Sequence, residues 1–558
     1  MSLRSPLAYT IPAETIRVAQ AAFPKGTLYM QMADAFGMLY TNQEFAALFA
    51  TTGQPALDPA RLALVLVMQF AEGLSDRQAA DAVRGRIDWK YALALDLTDP
   101  GFDAAVLSKF RDRLVGSHAE ILLLDTLLTL LHERGLLKAR GTQRTDSTMV
   151  LAAIRTLNRL ELVGETLRLT LNRLAEIAPD WLRMHLDPAW VERYAVRVDS
   201  FRLPKSQTAR QALAATIGAD GFALLDAIDE PDTPPHVQTD PAVQLLWRIW
   251  IQQYYGPGDP PCWRKDGDVP PAPRLIHSPH DVDARYSIKR GTSWVGYKVH
   301  LTESCDRDLP RLITHVETTA ATTPDDQQLP AIHAVLAAKR LLPRDHVVDA
   351  GYTSSEILVH SQRDYGVQII GPVAHDPSWQ AREKTGFGND AFHIDWERQR
   401  ATCPQGHESR KWHPEMDISG QEVIQIRFAQ KACFHCPVRA QCTRAKRQPR
   451  TVTIRTEVYH TALQTARQRQ TTPEFKDGYA IRAGIESSIS QGVRRSALRR
   501  TRYIGQAKTQ LQQILVAVAL NVVRSVTWLR DRAQPEVPQA TSRRRVKRAG
   551  FAALVATG

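Results

Sequence analysis

Apolar residues change period along the chain, and each change marks an element. Residues 59–72 (PARLALVLVMQFAE) are apolar nearly all round, which predicts a helix buried on every side. Gly73-Leu74 breaks that run, and Ser75 stands where it can cap a second helix over 76–84. Residues 108–115 and 120–134 repeat apolar positions at helical spacing, with Gly135 as the stop. The pair around 73–89 reads either as a helix-turn-helix facing DNA or as part of a plain helical bundle. At 142–151 (TQRTDSTMVL) the texture changes: β-branched residues around one Asp predict a strand. Residues 152–254 return to a helical Leu/Arg periodicity and end in a Pro/Gly-rich connector, 255–273.

A second β-type block begins at Gly291 with GTSWVGYKVHLTE and continues in LPRLITHVETT. A helix over 325–339, a short buried strand at 346–349 (HVVD), a helix over 354–363 and a strand at 366–373 follow. Strands alternating with helices predict an α/β sheet with some parallel pairing. Residues 374–473 break the rhythm with cysteines, Arg and Gln and show no evident apolar core. Two helices, 473–502 and 505–529, and a tail carrying Arg543-Arg544-Arg545 and Lys547-Arg548 complete the chain. The division expected is a helical N-terminal domain (1–140), a discontinuous α/β core (141–151, 290–373, 474–530), a helical insertion (152–289), a Cys-rich insertion (374–473) and a basic tail (531–558).

Composition narrows the class. The 558 residues hold 71 Lys+Arg against 59 Asp+Glu, a net charge of +12, so a polyanion is the first partner to consider. With 43% hydrophobic and 23% charged residues, wholesale disorder is excluded. The apolar runs 62–68 and 514–520 are shorter than a membrane span, and MSLRSPL lacks a signal peptide's apolar stretch. The expectation is a soluble cytoplasmic protein without a membrane partner. Six cysteines in such a chain are a poor disulfide framework.

Three acids stand out by position. Asp146 lies in the 142–151 strand, Asp349 ends HVVD at a strand's carboxyl end, and Glu486 follows Tyr479 by seven and Arg482 by four residues on a helix, sharing one face with them. Three converging carboxylates would suit Mg²⁺ or Mn²⁺. The duller readings are a local turn for Asp146 with Ser147 and Thr148, a turn residue for Asp349 before Gly351, and a surface ion pair for Glu486 with Arg482. Asp281, Asp283, Asp325 and Asp326 are spare acids. Lys298 and His300 share a strand face, for DNA contact or as ordinary strand surface. Arg482, Arg494, Arg495, Arg499, Arg500 and Arg502 fall within 21 residues with Glu486 the only acid among them, which favours phosphate contact over a solvated helix face. Cys403, Cys433, Cys436 and Cys442 crowd into 40 residues, and the Cys-x2-Cys step suits two thiolates on one structural Zn²⁺. His407 or His435 is an alternative ligand, and an iron–sulfur cluster or reduced thiols are alternative fates. Cys262 and Cys305 read as ordinary thiols.

Several of these segments together resemble the DDE transposases of bacterial insertion sequences: Arg144-Thr-Asp-Ser-Thr148, Gly296-Tyr-Lys-Val-His-Leu-Thr-Glu303, Val347-Val-Asp-Ala-Gly-Tyr352, and Tyr479-Ala-Ile-Arg-Ala-Gly-Ile-Glu486. The last fits a Tyr-x2-Arg-x3-Glu signature of one branch, and Leu74-Ser-Asp-Arg-Gln-Ala79 looks like that branch's N-terminal domain. The resemblance implies a ribonuclease H-like core in which Asp146, Asp349 and Glu486 hold two Mg²⁺ (or Mn²⁺) ions. It implies hydrolysis that frees a 3′-OH at the element's end, then attack of that 3′-OH on target DNA. Tyr479 and Arg482 would position a phosphate or a flipped nucleotide. Partners would be double-stranded DNA, both element ends and target, held by a homodimer at the nucleoid. The branch usually places a Lys seven residues after the Glu; Val493 stands there, leaving Arg494 or Lys508 to take over its DNA contact. The competing readings are a zinc-bearing DNA-binding protein without catalysis and a related metal-dependent nuclease.

Overall fold

In the computed structural model, residues 2–3, 9–257, 260–289, 291–383 and 386–533 are described; the Arg543–Arg545 and Lys547–Arg548 motifs lie outside them. The N-terminal helices form where local chemistry sets them. Pro59–Glu72 starts with Pro59 in the first turn and the Asp58 side chain accepting from the Arg61 N–H. It stops at Gly73, whose φ of 72° suits a residue without a Cβ. The next helix, Asp76–Gly85, opens with a reciprocal cap: Gln78 N–H donates to Ser75 Oγ, and Ser75 N–H donates to Gln78 Oε1.

The central sheet has six strands: β1 (Thr142–Leu151), β2 (Arg285–Lys289), β3 (Thr292–Ser304), β4 (Ile313–Ala320), β5 (Asp345–Val348) and β6 (Gln368–Ile370). Its order is β2-β3-β1-β5-β6, with β4 also on β3. The 13-residue β3 has β1 along one side, while β2 and then β4 share the other. All pairs with β3 are antiparallel, whereas β1–β5 and β5–β6 are parallel. Sequence patterning missed β2, none of whose five residues is fully buried and which carries no clean alternation. It also overextended β6, which pairs only over Gln368–Ile370 before Pro372 removes a donor.

The final helix, Gln506–Ala533, joins this sheet to the N-terminal helices. It packs on β4 and on the helices Pro59–Glu72 and Leu122–Glu133. Asn521 brackets one residue of β4, accepting from Ile313 N–H at 2.7 Å and donating to Ile313 C=O at 2.8 Å. Gln506 and Gln510 donate to the carbonyls of Thr318 and Val316. Side-chain amides thereby satisfy polar backbone that an edge strand would leave unpaired. Two helices, Gln207–Asp229 and Gln506–Ala533, are long and apolar enough to cross a membrane, but 83% of the second's apolar window is buried inside the protein. One continuous apolar cluster runs from Tyr29 and Leu66 through Leu127, Val299 and Val316 to Val518 and Val526. Apolar packing therefore continues across residue 140.

The two insertions have cores of their own. In 152–289, Trp181, Trp190, Trp250 and Tyr254 pack among the helices. Gly218 and Gly221 let two of those rings lie directly on the helix Gln207–Asp229; a Cβ at Gly221 would come within 2.1 Å of the Trp250 ring. In 374–473 the chain forms a hairpin of β7 (His393–Asp395) and β8 (Arg400–Thr402). An antiparallel sheet follows, made of β9 (Ser409–Met416), β10 (Glu422–Phe428) and β11 (Thr451–Arg455). The expectation that this segment lacks an apolar core is corrected: Phe392, Ile424, Ile426, Phe428, Val452 and Ile454 form one. Its apolar positions are spread singly over short strands, so no run announces them.

A second correction concerns 473–502. It is not one helix but Pro473–Ala480, a tight turn at Ile481–Ala483, and Gly484–Ser496, after which Ala497 adopts a left-handed φ of 53°. Arg499, Arg500 and Arg502 thus lie beyond the helix. There the chain pairs with the end of β1: Leu151 N–H donates to Arg499 C=O and Thr501 N–H to Leu151 C=O.

Candidate active site and cysteine cluster

Strand register places the first two acids side by side. In the parallel pair β1–β5, Thr145 lies opposite Val348, so Asp146 and Asp349 are the next residues on adjacent strands, roughly 5 Å apart in the pairing direction. Asp146 is mid-strand and buried, not in a turn, with Ser147 N–H donating to its Oδ1 at 2.8 Å. Asp349 follows β5 and accepts from Gly351 N–H at 2.9 Å, so it is a turn residue whose carboxylate also lies beside that of Asp146.

The broken helix brings the third acid. Tyr479 stacks on Phe475 at 5.7 Å, and both pack on Val347 and Ile370 at the ends of β5 and β6. Three residues on, Arg482 points into the gap between the acids. Its Nη2 lies 2.8 Å from Asp146 Oδ2 and 3.9 Å from Asp349 Oδ2, and its Nη1 lies 3.4 Å from Glu486 Oε1. One guanidinium therefore serves all three carboxylates. Burial pushes the Asp146 carboxyl above its ordinary value, only partly offset by the Arg482 charge and the Ser147 N–H. Burial alone would lower the Arg482 pKa, but Asp146, Tyr479, Asp349 and Glu486 outweigh it and hold it above its usual value. Burial likewise raises the Tyr479 phenol. Glu486 itself is open to solvent, 67% exposed.

The rim is basic, though less of it is free than the spacing implied. Arg494, Arg495 and Arg500 are exposed. Arg499 is exposed too but donates to Thr148 Oγ1 at 2.8 Å. Arg502 donates to the carbonyls of Gly73 and Leu74 and stacks on Phe70, and Lys508 pairs with Asp112 at 2.8 Å. These last two hold the N-terminal helices. Val493 packs against the main core, which explains an apolar residue there.

Other candidates have structural posts. His300 is fully buried, hydrogen-bonded to Tyr352 and Thr319, with burial pushing its pKa down to about 4, so it cannot touch DNA. Lys298 binds Asp325 at 2.8 Å. Asp325 accepts from Ser147 Oγ and so sits beside the acids, a neighbour the sequence suggested only as a spare. Buried Asp281 accepts from Tyr297 OH and from Gly505 N–H, and Asp283 from Gln506 N–H, tying the start of the final helix to the insertion's end.

Cys403, Cys433, Cys436 and Cys442, all free thiols, line one small cavity of about 30 Å³ against the core of the 374–473 segment. Cys403 begins a tight loop in which its carbonyl accepts from Gly406 N–H and its N–H donates to His407 C=O, with Gly406 at φ 77°. Burial first, and the other three sulfurs as lesser causes, raise the Cys442 thiol to about 11. His407 also lines the cavity, whereas His435 Nδ1 is engaged with Lys431 C=O. Cys305 is buried and raised to about 12, and Cys262 is exposed; neither joins the cluster.

Among the described residues, no three His, Cys, Asp or Glu side chains close on a common point as a formed metal site. The donor sets nevertheless fit in kind: three carboxylates gathered where one cation already sits, and four thiols around one cavity.

Two family matches accompany this geometry. A family model described as a transposase DDE domain matches residues 402–526, and one described as a transposase domain (DUF772) matches residues 17–113. The first span contains the four clustered cysteines and Glu486; Asp146 and Asp349 precede it. No curated protein matches the chain.

Proposed function

The chain belongs to the DDE transposases of insertion sequences, and on that premise we propose that it binds the ends of its own element, cleaves phosphodiester bonds there and joins the freed 3′-OH ends to target DNA. The observation that carries this reading is the meeting of Asp146, Asp349 and Glu486, from three distant segments, around the single guanidinium of Arg482. A DNA-binding protein without catalysis has no use for such a site. The sheet order, three antiparallel strands flanking β1 on one side and two parallel strands on the other, supports a ribonuclease H-like core.

Asp146, Asp349 and Glu486 would hold two divalent cations, Mg²⁺ or Mn²⁺, whose chemistry is to neutralise charge on the attacking and leaving oxygens of an in-line displacement. The chain's own groups do the rest. Arg482 neutralises the acids, and its fork could also hold a DNA phosphate. Tyr479, stacked on Phe475, lines the same approach. Arg494, Arg495, Arg499 and Arg500 give the exposed rim its positive charge, which steers and holds the backbone. The cysteine cluster would hold one structural Zn²⁺ that staples the loops of the 374–473 sheet. Two ends must be held together for transposition, so the DNA complex would contain a homodimer, working at the nucleoid in the cytoplasm.

The test is to incubate purified protein with DNA carrying the element's terminal repeats, a target plasmid and Mg²⁺, and to resolve nicked and joined products. Wild type should yield free 3′-OH ends and joints, and Asp349→Ala neither. If wild type produces none, or Asp349→Ala matches it, the reading fails.

A further inference from the structure

Behind the proposed site lies a carboxylate that the reaction above does not use. Glu303, next to last in β3, is 0% exposed. Both of its oxygens are taken. Oε1 accepts from Arg144 Nε at 2.7 Å, and Oε2 accepts from Ser488 Oγ at 2.5 Å and Arg524 Nη1 at 3.1 Å. These partners come from the elements whose relative placement defines the site. Arg144 lies opposite Glu303 across the β1–β3 pair and two residues before Asp146, so both point from one face of β1. Its Nη1 donates to Ile481 C=O in the tight turn before Glu486. A Cβ on Gly484 would fall 2.1 Å from that same nitrogen, so the guanidinium packs directly on the turn. Ser488, two residues after Glu486, faces inward where Glu486 faces out. Arg524, from the final helix, also donates to Ser488 Oγ at 2.7 Å and Gln491 Oε1 at 3.0 Å.

We propose that Glu303 is a positioning residue: its buried carboxylate clamps the Glu486 segment to the Asp146 strand and so sets the spacing of the acids. A carboxylate suits the task because it can accept from two guanidinium groups and a hydroxyl at once, and because buried ion pairs with filled hydrogen bonds fix geometry more than they add stability. The inference rests on the transposase reading and concerns placement, not contact with DNA or metal.

Two variants and two measurements test it. Glu303→Gln keeps the shape but turns one acceptor into a donor facing Ser488 and Arg524; Ser488→Ala removes one neutral contact and is the deciding variant should Glu303→Gln fail to fold. Misplacement of a reacting group by about 1 Å costs on the order of a hundredfold. Glu303→Gln should therefore lower kcat for end cleavage by about that factor and Ser488→Ala by about tenfold, with the Kd for end DNA changed less than about threefold. Calorimetric titration of Mn²⁺ into the DNA-free protein should show binding weakened about tenfold in either variant. Ser488→Thr, which restores the hydroxyl, should recover both readouts. If the folded variants cleave and bind Mn²⁺ as wild type does, the positioning role is wrong while the transposase reading stands. If wild type neither cleaves nor binds Mn²⁺, both fall together.

Discussion

The carboxylate site and the cysteine cluster have the same task, gathering like donors into a small volume, and they do it in opposite ways. The cysteines come from 40 consecutive residues and converge through short local devices: a loop with Gly406 at positive φ, a Cys-x2-Cys step, and a small antiparallel sheet behind them. The acids come from positions 146, 349 and 486 and converge only because β1, β5 and the broken helix are fixed by one large core. In the acidic site charge repulsion is answered by a protein cation, Arg482. Among the cysteines burial raises the Cys442 thiol, which favours its neutral form. The lesson is that one large core brings distant acids together, whereas short loops and a small sheet suffice for neighbouring cysteines.

The strongest way to break this comparison is to remove one acid. Asp349→Ala or Glu486→Ala should lower end cleavage at least about a thousandfold, several kcal/mol of transition-state stabilisation, while the far-UV circular dichroism of the folded chain stays that of wild type. A small loss would mean that the convergence is incidental. Next in size is the cysteine pair. Changing Cys433 and Cys436 to Ser should abolish a zinc content of about one per chain, measured by plasma emission, and expose the 374–473 segment to proteolysis. Wild type that is metal-free yet protease-resistant there would sink the zinc assignment.

Smaller effects sharpen the role of Arg482. In Arg482→Gln three carboxylates share no counter-charge, so the melting temperature without Mg²⁺ should fall by an amount equivalent to roughly 1 kcal/mol. Added Mg²⁺ should then raise it more than it raises wild type, because binding to the folded state is linked to stability. An equal Mg²⁺ response in both proteins would show that Arg482 does not hold the place of a cation. The smallest effect is on pH dependence. The Asp146 carboxyl is held above its ordinary value of 3.8 in the folded chain, so the fold favours its protonated form. Above the folded value the ionised group therefore subtracts stability. Asp146→Asn should be slightly more resistant to urea than wild type at pH 7 to 8, by no more than about 1 kcal/mol, and the advantage should vanish as pH falls toward 3.8. A less stable Asp146→Asn at pH 7 would reverse the sign of the burial argument.

Much of the scaffold was legible without coordinates. The β1 bounds, the Ser75 cap and the Gly73 and Gly135 stops follow from alternation, capping and left-handed glycine, all of which are energies of a few neighbouring residues. The same local rules fail where a partner decides. Strand β2 exists because β3 offers it an edge, and the helix over 473–502 breaks where Arg144 packs on the turn before Gly484. Charge patterning marks Arg502 and Lys508 by type and spacing but not by partner, and the fold adds the carbonyls of Gly73 and Leu74 to the one and Asp112 to the other. Glu303 closes the segment Gly296–Glu303 that carried the resemblance, but its meaning required knowing that Arg144 stands opposite.

The sequence by itself determined the kinds of element, their caps, and the residue types from which the two candidate sites are made. Tertiary structure decided which acids meet, which arginine neutralises them, why Val493 faces inward, and that the N-terminal helices share their core with the sheet. The division has a physical cause. Periodicity and capping act over one or two turns of chain, whereas closing loops of more than a hundred residues is repaid only by burying one common core, and no short stretch of sequence carries that information.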